Sequence, residues 1–131
     1  MKQELIAPCG MNCEICLAFF GYSFNDKKRK TRCIGCRPRN KNCAFIIKRC
    51  EKLRKKTIDF CYECKGFPCI NLEKLDKRYR ERFDMSMIEN LKFIEANGIQ
   101  KFLKQQEEKY KCPNCGGIIC VHTKKCYNCN S

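Results

Sequence analysis

Apolar residues recur at three- and four-residue spacing in the middle of the chain and lose that rhythm on either side. Leu72, Leu75, Tyr79 and Phe83 mark one face of a helix that begins after Pro68 and Asn71. Ser86-Met87-Ile88-Glu89 reads as a capping box, in which the serine and the glutamate each satisfy an unpaired backbone donor. A second helix therefore starts there, with Leu91, Phe93 and Ile94 on its apolar face, and Gly98 supplies the left-handed residue that ends it. A third helix is expected from Ile99 to Lys109, with Phe102 and Leu103 inward.

The flanks are less regular. Ala44, Phe45, Ile47, Cys50 and Leu53 predict a helix over Cys43 to Lys56, and a short helix carrying Leu17 and Phe20 is expected after Cys13. Tyr22 to Arg32, with Asp26-Lys27-Lys28-Arg29-Lys30, reads as an exposed loop. Ile118 to Thr123 alternates as one strand of a small sheet. The pattern describes a small α+β, metal-stabilised fold in three stretches. Residues 1–69 form an irregular Cys-rich module with short helices, residues 70–110 a helical connector and residues 111–131 a zinc ribbon.

Cysteine dominates the composition, with 15 in 131 residues. Ten lie in residues 1–69, none in 70–110 and five in 111–131. The count is odd, the start MKQELIAPCG has no apolar leader core, and the thiols cluster as Cys-x-x-Cys. Metal ligation in a reducing cytoplasm fits these features better than disulfides do. No apolar run approaches the roughly 20 residues needed to cross a bilayer, so no membrane role is expected. A structural zinc site supplies on the order of 10 kcal/mol to folding, which compensates for a thin apolar core.

Charge changes this picture in one respect. The formal net charge is +14, with 16 basic and 6 acidic side chains in residues 1–69, 9 and 8 in 70–110, and 3 and none in 111–131. The basic excess sits with the cysteines. Four thiolates around one Zn²⁺ leave a charge of −2, so about three such ions would lower +14 to about +8.

Cys112-Pro-Asn-Cys115-Gly-Gly and Cys126-Tyr-Asn-Cys129 are two Cys-x-x-Cys pairs separated by ten residues. Such pairs bring four thiolates to a tetrahedral Zn²⁺, and Gly116 and Gly117 allow the turn after the first knuckle. Cys120 and His122 lie between the pairs and are read as structural, because the coordination sphere is already complete. In the first module Cys9, Cys13, Cys16, Cys33, Cys36, Cys43, Cys50, Cys61, Cys64 and Cys69 are metal-ligand candidates. Ten thiols make two Cys₄ sites with two left over, or a larger cluster with shared ligands. The favoured pairing joins Cys33 and Cys36 to Cys61 and Cys64, leaving Cys9, Cys13 and Cys16 to find a fourth among Cys43, Cys50 and Cys69. Cys43 or Cys50 reads alternatively as an inert core thiol.

Cys9-Gly10-x-x-Cys13-x-x-Cys16, Cys33-x-Gly35-Cys36, the Cys43 to Cys50 helix and Phe60-Cys61-x-Glu63-Cys64-x-x-Phe67-Pro68-Cys69 resemble a known group of bacterial and archaeal proteins. That group is domain of unknown function family 3795, and the resemblance covers residue 5 to about residue 75. It implies a metal-rich fold and names no reaction.

Three function classes follow. A zinc-stabilised module for nucleic acid or protein is supported by Lys27, Lys28, Arg29 and Lys30, by Arg37, Arg39 and Lys41, and by Lys52, Arg54, Lys55 and Lys56, with Tyr127 as a stacking face. An iron–sulfur cluster or redox enzyme is the second class, since Cys9, Cys13 and Cys16 have the spacing of radical-enzyme clusters. Ile15 stands where those enzymes commonly place an aromatic, and 131 residues are too few for their barrel. Metal storage or delivery is the third. Classical catalytic groups are sparse: one histidine, no P-loop, and Glu14 and Glu63 as the carboxylates nearest the cysteines. The expectation is a non-enzymatic protein.

Overall fold

A computed structural model describes residues 1–23, 25, 27–39 and 50–129. Two single turns, α1 (Cys36–Arg39) and α2 (Glu51–Arg54), precede three longer helices, α3 (Ile70–Phe83), α4 (Met87–Asn97) and α5 (Ile99–Lys109). The long three are the helices the apolar rhythm predicts. Leu72, Leu75 and Phe83 of α3, Leu91 and Ile94 of α4, and Phe102 and Leu103 of α5 are all buried.

The α3–α4 corner is fixed by a group that periodicity does not mark. Ser86 Oγ accepts from the Glu89 N–H at 3.0 Å, as the capping motif predicts, and donates to Asp76 Oδ1 at 2.6 Å. Asp76 also accepts from the Ile88 N–H at 2.9 Å and from Arg80 Nε at 2.6 Å. Burial opposes ionisation of Asp76, but these donors outweigh it and hold the carboxyl below its ordinary pKa. Gly98 departs from expectation, with φ 91° and ψ 159° rather than left-handed helical angles. Its N–H bonds Ile94 O at 2.8 Å and its own carbonyl accepts from the Phe102 N–H at 3.3 Å. One residue thus ends α4 and opens α5, and the extended ψ redirects the chain between them.

The predicted helix after Cys13 shortens to a 3-10 turn, Cys13–Ile15, followed by turns to Gly21. The Leu17 N–H, which a helix would direct to Cys13 O, donates to His122 Nδ1 at 3.1 Å instead. Tyr22 and Lys28 pair as an isolated bridge, and Lys27 to Arg32 are exposed. Of the predicted Cys43–Lys56 helix, Glu51–Arg54 is seen. The stretch 40–49, including Cys43 and Lys41, lies outside the described residues.

Strand content among the described residues is limited to isolated bridges, Lys111 with Ile118 and Ile119 with Cys126 in the last stretch. Cys120 and Val121 are neighbours and both fully buried, which an alternating strand would not permit. The Val121 N–H leaves its own stretch and bonds Ile15 O at 2.9 Å. The core accordingly draws on the whole chain. Leu5, Ala7, Met11 and Ile15 pack with Leu72 and Leu75, with Met87 and Leu91, and with Tyr110 and Val121.

Gly10 permits the closest approach in this core. Its φ is +91°, and a Cβ there would lie 2.7 Å from Met87 O and 3.0 Å from Leu91 Cγ. No helix among the described residues is long and apolar enough to cross a membrane.

Candidate metal centre

The last stretch folds back on itself after Tyr110. Backbone bonds from Cys112 N to Gly117 O (2.8 Å) and from Gly116 N to Cys112 O (2.9 Å) close the first knuckle. Gly116 adopts φ +77°, while Gly117 is required for space. A Cβ on Gly117 would meet Asn128 Cβ at 3.1 Å, Cys115 Sγ at 3.2 Å and Cys126 Sγ at 3.3 Å.

The result is a converged thiol quartet. The Sγ atoms of Cys112, Cys115, Cys126 and Cys129 all lie within 4.8 Å of one another. Cys112 and Cys129 are 3.7 Å apart, and Cys115 and Cys126 are 3.5 Å apart. Zn–S bonds near 2.3 Å in a tetrahedron place sulfurs roughly 3.8 Å apart, so the quartet has the dimensions for one such ion. Among the described residues it is the one group of three or more candidate ligands that converges this closely.

Local donors stabilise thiolate here. Hydrogen bonds from Asn128 Nδ2 and from the Gly117 N–H, each at 3.3 Å, bring Cys115 down to about 6. Backbone N–H groups of Cys115 and Asn114 lower Cys112 as well. Cys126 goes the other way: the Cys129 N–H favours its thiolate, but desolvation and the adjoining thiols of Cys115 and Cys112 push it up to about 11. Four sulfurs this close would all ionise only around a cation, so the quartet could hold one metal ion.

His122 is no ligand in this arrangement. With Nδ1 accepting from Leu17, its Nε2–H donates to Tyr79 Oη at 2.8 Å. The ring stands edge-on to Phe83 at 4.7 Å. Burial, with Lys124 and Arg82 adding repulsion, brings His122 down to about 4, so it is neutral at pH 7. Tyr127, within the second knuckle, stacks on Tyr22 at 4.5 Å with Phe20 alongside at 5.3 Å. Leu17, Tyr79 and Tyr22 are the docking partners that sequence reasoning missed.

The other thiols lie in residues 9–69, and Cys43 is outside the described set. Cys9, Cys13, Cys16, Cys33 and Cys36 line one cavity of about 40 Å³, walled also by Met11, Phe19, Leu75, Tyr79 and Met87. The Cys36 N–H reaches Cys13 Sγ at 3.4 Å. Cys61 is not among these lining residues but lies near Cys9, and burial together with Cys9, Cys69, Cys50 and Cys64 raises its thiol pKa strongly. Cys64 accepts from the Gly66 N–H and from Lys52 Nζ at 3.3 Å, which lower it. Cys33 and Cys36 share that cavity with Cys9, Cys13 and Cys16, and Cys61 and Cys64 are not among its lining residues.

A family model described as protein of unknown function (DUF3795) matches residues 5–74, more than half of the 131-residue chain. The chain belongs to the DUF3795 family. No curated protein and no solved structure matches it. The DUF3795 segment ends inside α3, so the converged quartet lies wholly beyond the family region. The cavity thiols and Cys61, Cys64 and Cys69 lie within it.

Two polar residues singled out by sequence serve the fold. Glu63 Oε2 accepts from the Phe60 N–H at 2.6 Å and the Asp59 N–H at 2.9 Å, capping the 3-10 turn Cys61–Glu63. Arg37 donates to Ile6 O at 2.6 Å and Asp59 O at 2.7 Å, and its guanidinium lies over Phe60. Arg37 is committed to backbone carbonyls rather than offered to a phosphate.

Proposed function

We propose that this DUF3795 protein is a cytoplasmic zinc protein that works as a non-catalytic interaction module. The convergence of Cys112, Cys115, Cys126 and Cys129 to within 4.8 Å carries the reading. Four thiolates with no exchangeable ligand position make a structural zinc site, closed to substrate. The further N-terminal cysteines, Cys9 to Cys69, add metal-binding capacity to the same chain.

The experiment is metal analysis of the full chain purified without oxygen, beside a Cys115→Ser/Cys129→Ser variant. Zinc is expected, with one equivalent fewer in the variant. Iron with sulfide in the wild type, or identical metal content in the two proteins, overturns the reading.

A nucleic acid is the partner favoured by the exposed Lys27 to Arg32 loop, which sits next to Tyr22 and the aromatic contact with Tyr127. Binding to a single-stranded oligonucleotide should weaken steeply as salt is raised. A flat salt titration, or no binding at low salt, rules this partner out.

A further inference from the structure

The cavity under α3 sorts the N-terminal thiols in a way that composition does not. Five cysteines line it, yet only four of them form two Cys-x-x-Cys pairs: Cys13 with Cys16, and Cys33 with Cys36. Sixteen residues separate these pairs, inside the roughly 15 to 20 that joins the halves of many tetrathiolate zinc modules. The fold closes that interval, since the Cys36 N–H donates to Cys13 Sγ across it at 3.4 Å.

The second pair also has a feature of the C-terminal knuckles. The Gly35 N–H donates to Cys33 Sγ at 3.4 Å, as the Gly117 N–H donates to Cys115 Sγ at 3.3 Å. In each case the donor lies two residues beyond the thiol. Such a bond orients the sulfur and leaves its remaining lone pairs for a metal. Gly35 holds φ +107°, a backbone state that favours glycine.

Size and surroundings narrow the ligand. The cavity of about 40 Å³ exceeds the roughly 10–15 Å³ that one water needs, and suits a single ion rather than a many-atom cluster. Its other walls are Met11, Phe19, Leu75, Tyr79 and Met87, which are largely apolar. Cys9 lies outside both Cys-x-x-Cys motifs, and its neighbour Pro8 accepts the Cys61 N–H at 2.9 Å, which ties this end of the cavity to the Cys61 turn.

We propose that Cys13, Cys16, Cys33 and Cys36 form a second tetrathiolate zinc site, inside the DUF3795 segment and separate from the C-terminal centre. The thiols move inward on loading, from the walls of the cavity to the spacing already present in the C-terminal quartet. This pairing replaces the one in which Cys33 and Cys36 join Cys61 and Cys64.

The test is metal stoichiometry in full-length chains purified without oxygen. Cys13→Ser/Cys16→Ser and Cys33→Ser/Cys36→Ser should each lose one zinc equivalent, and the fourfold variant should lose no more than either. A fourfold cavity variant that loses two equivalents overturns the proposal, as does one that loses none. Iron at these residues overturns the zinc assignment.

Because serine variants risk unfolding, Cys36→His in cobalt-substituted protein gives a second readout. Replacing one thiolate by imidazole at an occupied site should shift the cobalt absorption while leaving the metal count intact. An unchanged spectrum overturns the assignment of Cys36. The Cys115→Ser/Cys129→Ser variant, measured in parallel, keeps failure of this site distinct from failure of the C-terminal one.

Discussion

Cys112, Cys115, Cys126 and Cys129 fall within 18 consecutive residues, whereas the ten N-terminal cysteines spread over 61. The short stretch brings its sulfurs together by two local knuckles and a reversal. The long one relies on α1, α3 and the 3-10 turn at Cys13–Ile15 to bring thiols from separate segments to one cavity. Both ends use Cys-x-x-Cys chemistry, but the first is a local chelate and the second a product of tertiary packing. A ligand set whose loop is short needs little else to be in place, and each added segment makes the site depend on more of the core.

The largest expected effect tests whether the two ends are separable. Disabling the proposed C-terminal zinc site, by Cys112→Ser/Cys126→Ser, should forfeit a binding free energy on the order of 10 kcal/mol. Hydrogen exchange should show protection lost over residues 111–126 and retained in α4. Loss of protection in α4 as well would make the ends one cooperative unit.

His122 joins the ends, and its burial has a pH signature. The folded ring titrates near 4 against an ordinary 6.5, so between those values the unfolded chain holds the extra proton. Stability is therefore complete above about pH 6.5 and falls as pH drops toward 4. The shift of 2.5, at 1.36 kcal/mol each, bounds the loss at about 3 kcal/mol. Denaturant titrations at pH 7.5 and pH 5 should show a smaller loss in His122→Gln than in wild type. Thiolate protonation acts on both proteins, so equal losses would remove His122 as the cause.

Two adjacent glycines sharpen the local half of the comparison. Gly117→Ala crowds Asn128, Cys115 and Cys126, so zinc affinity should fall by about tenfold, or about 1.4 kcal/mol. At Gly116→Ala the new Cβ meets only Lys111 Cε, at 3.8 Å, and the cost is backbone strain of about 1 kcal/mol with affinity unchanged. Competition with a chromophoric chelator separates the two, and equal affinities would show that the thiols tolerate the added methyl.

The smallest effect concerns the aromatic contact between the ends. Tyr127→Ala removes the stack on Tyr22 and should cost about 1 kcal/mol in thermal stability while leaving metal content intact. A drop in bound metal would instead place Tyr127 in the support of the second knuckle.

Residues 70–109 were legible because their buried positions recur with the helix period, and because Ser86 and Gly98 mark the ends of α4. The strand over Ile118 to Thr123 was not, because Cys120 and Val121 are both buried and the Val121 N–H leaves the stretch to meet Ile15 O. The helix after Cys13 was lost for a related reason, the diversion of the Leu17 N–H to a histidine 105 residues away.

The sequence by itself determined three helices, the caps of α4 and the identity of the C-terminal quartet. Each of these depends on neighbours within 18 residues along the chain, so spacing alone expresses the geometry. Tertiary structure decided which N-terminal thiols line one cavity, that Arg37 and Glu63 hold backbone groups, and that His122 is a neutral bridge to Leu17 and Tyr79. Those outcomes depend on contacts between distant segments, where a cysteine pair carries no mark of which other pair the core will bring to it.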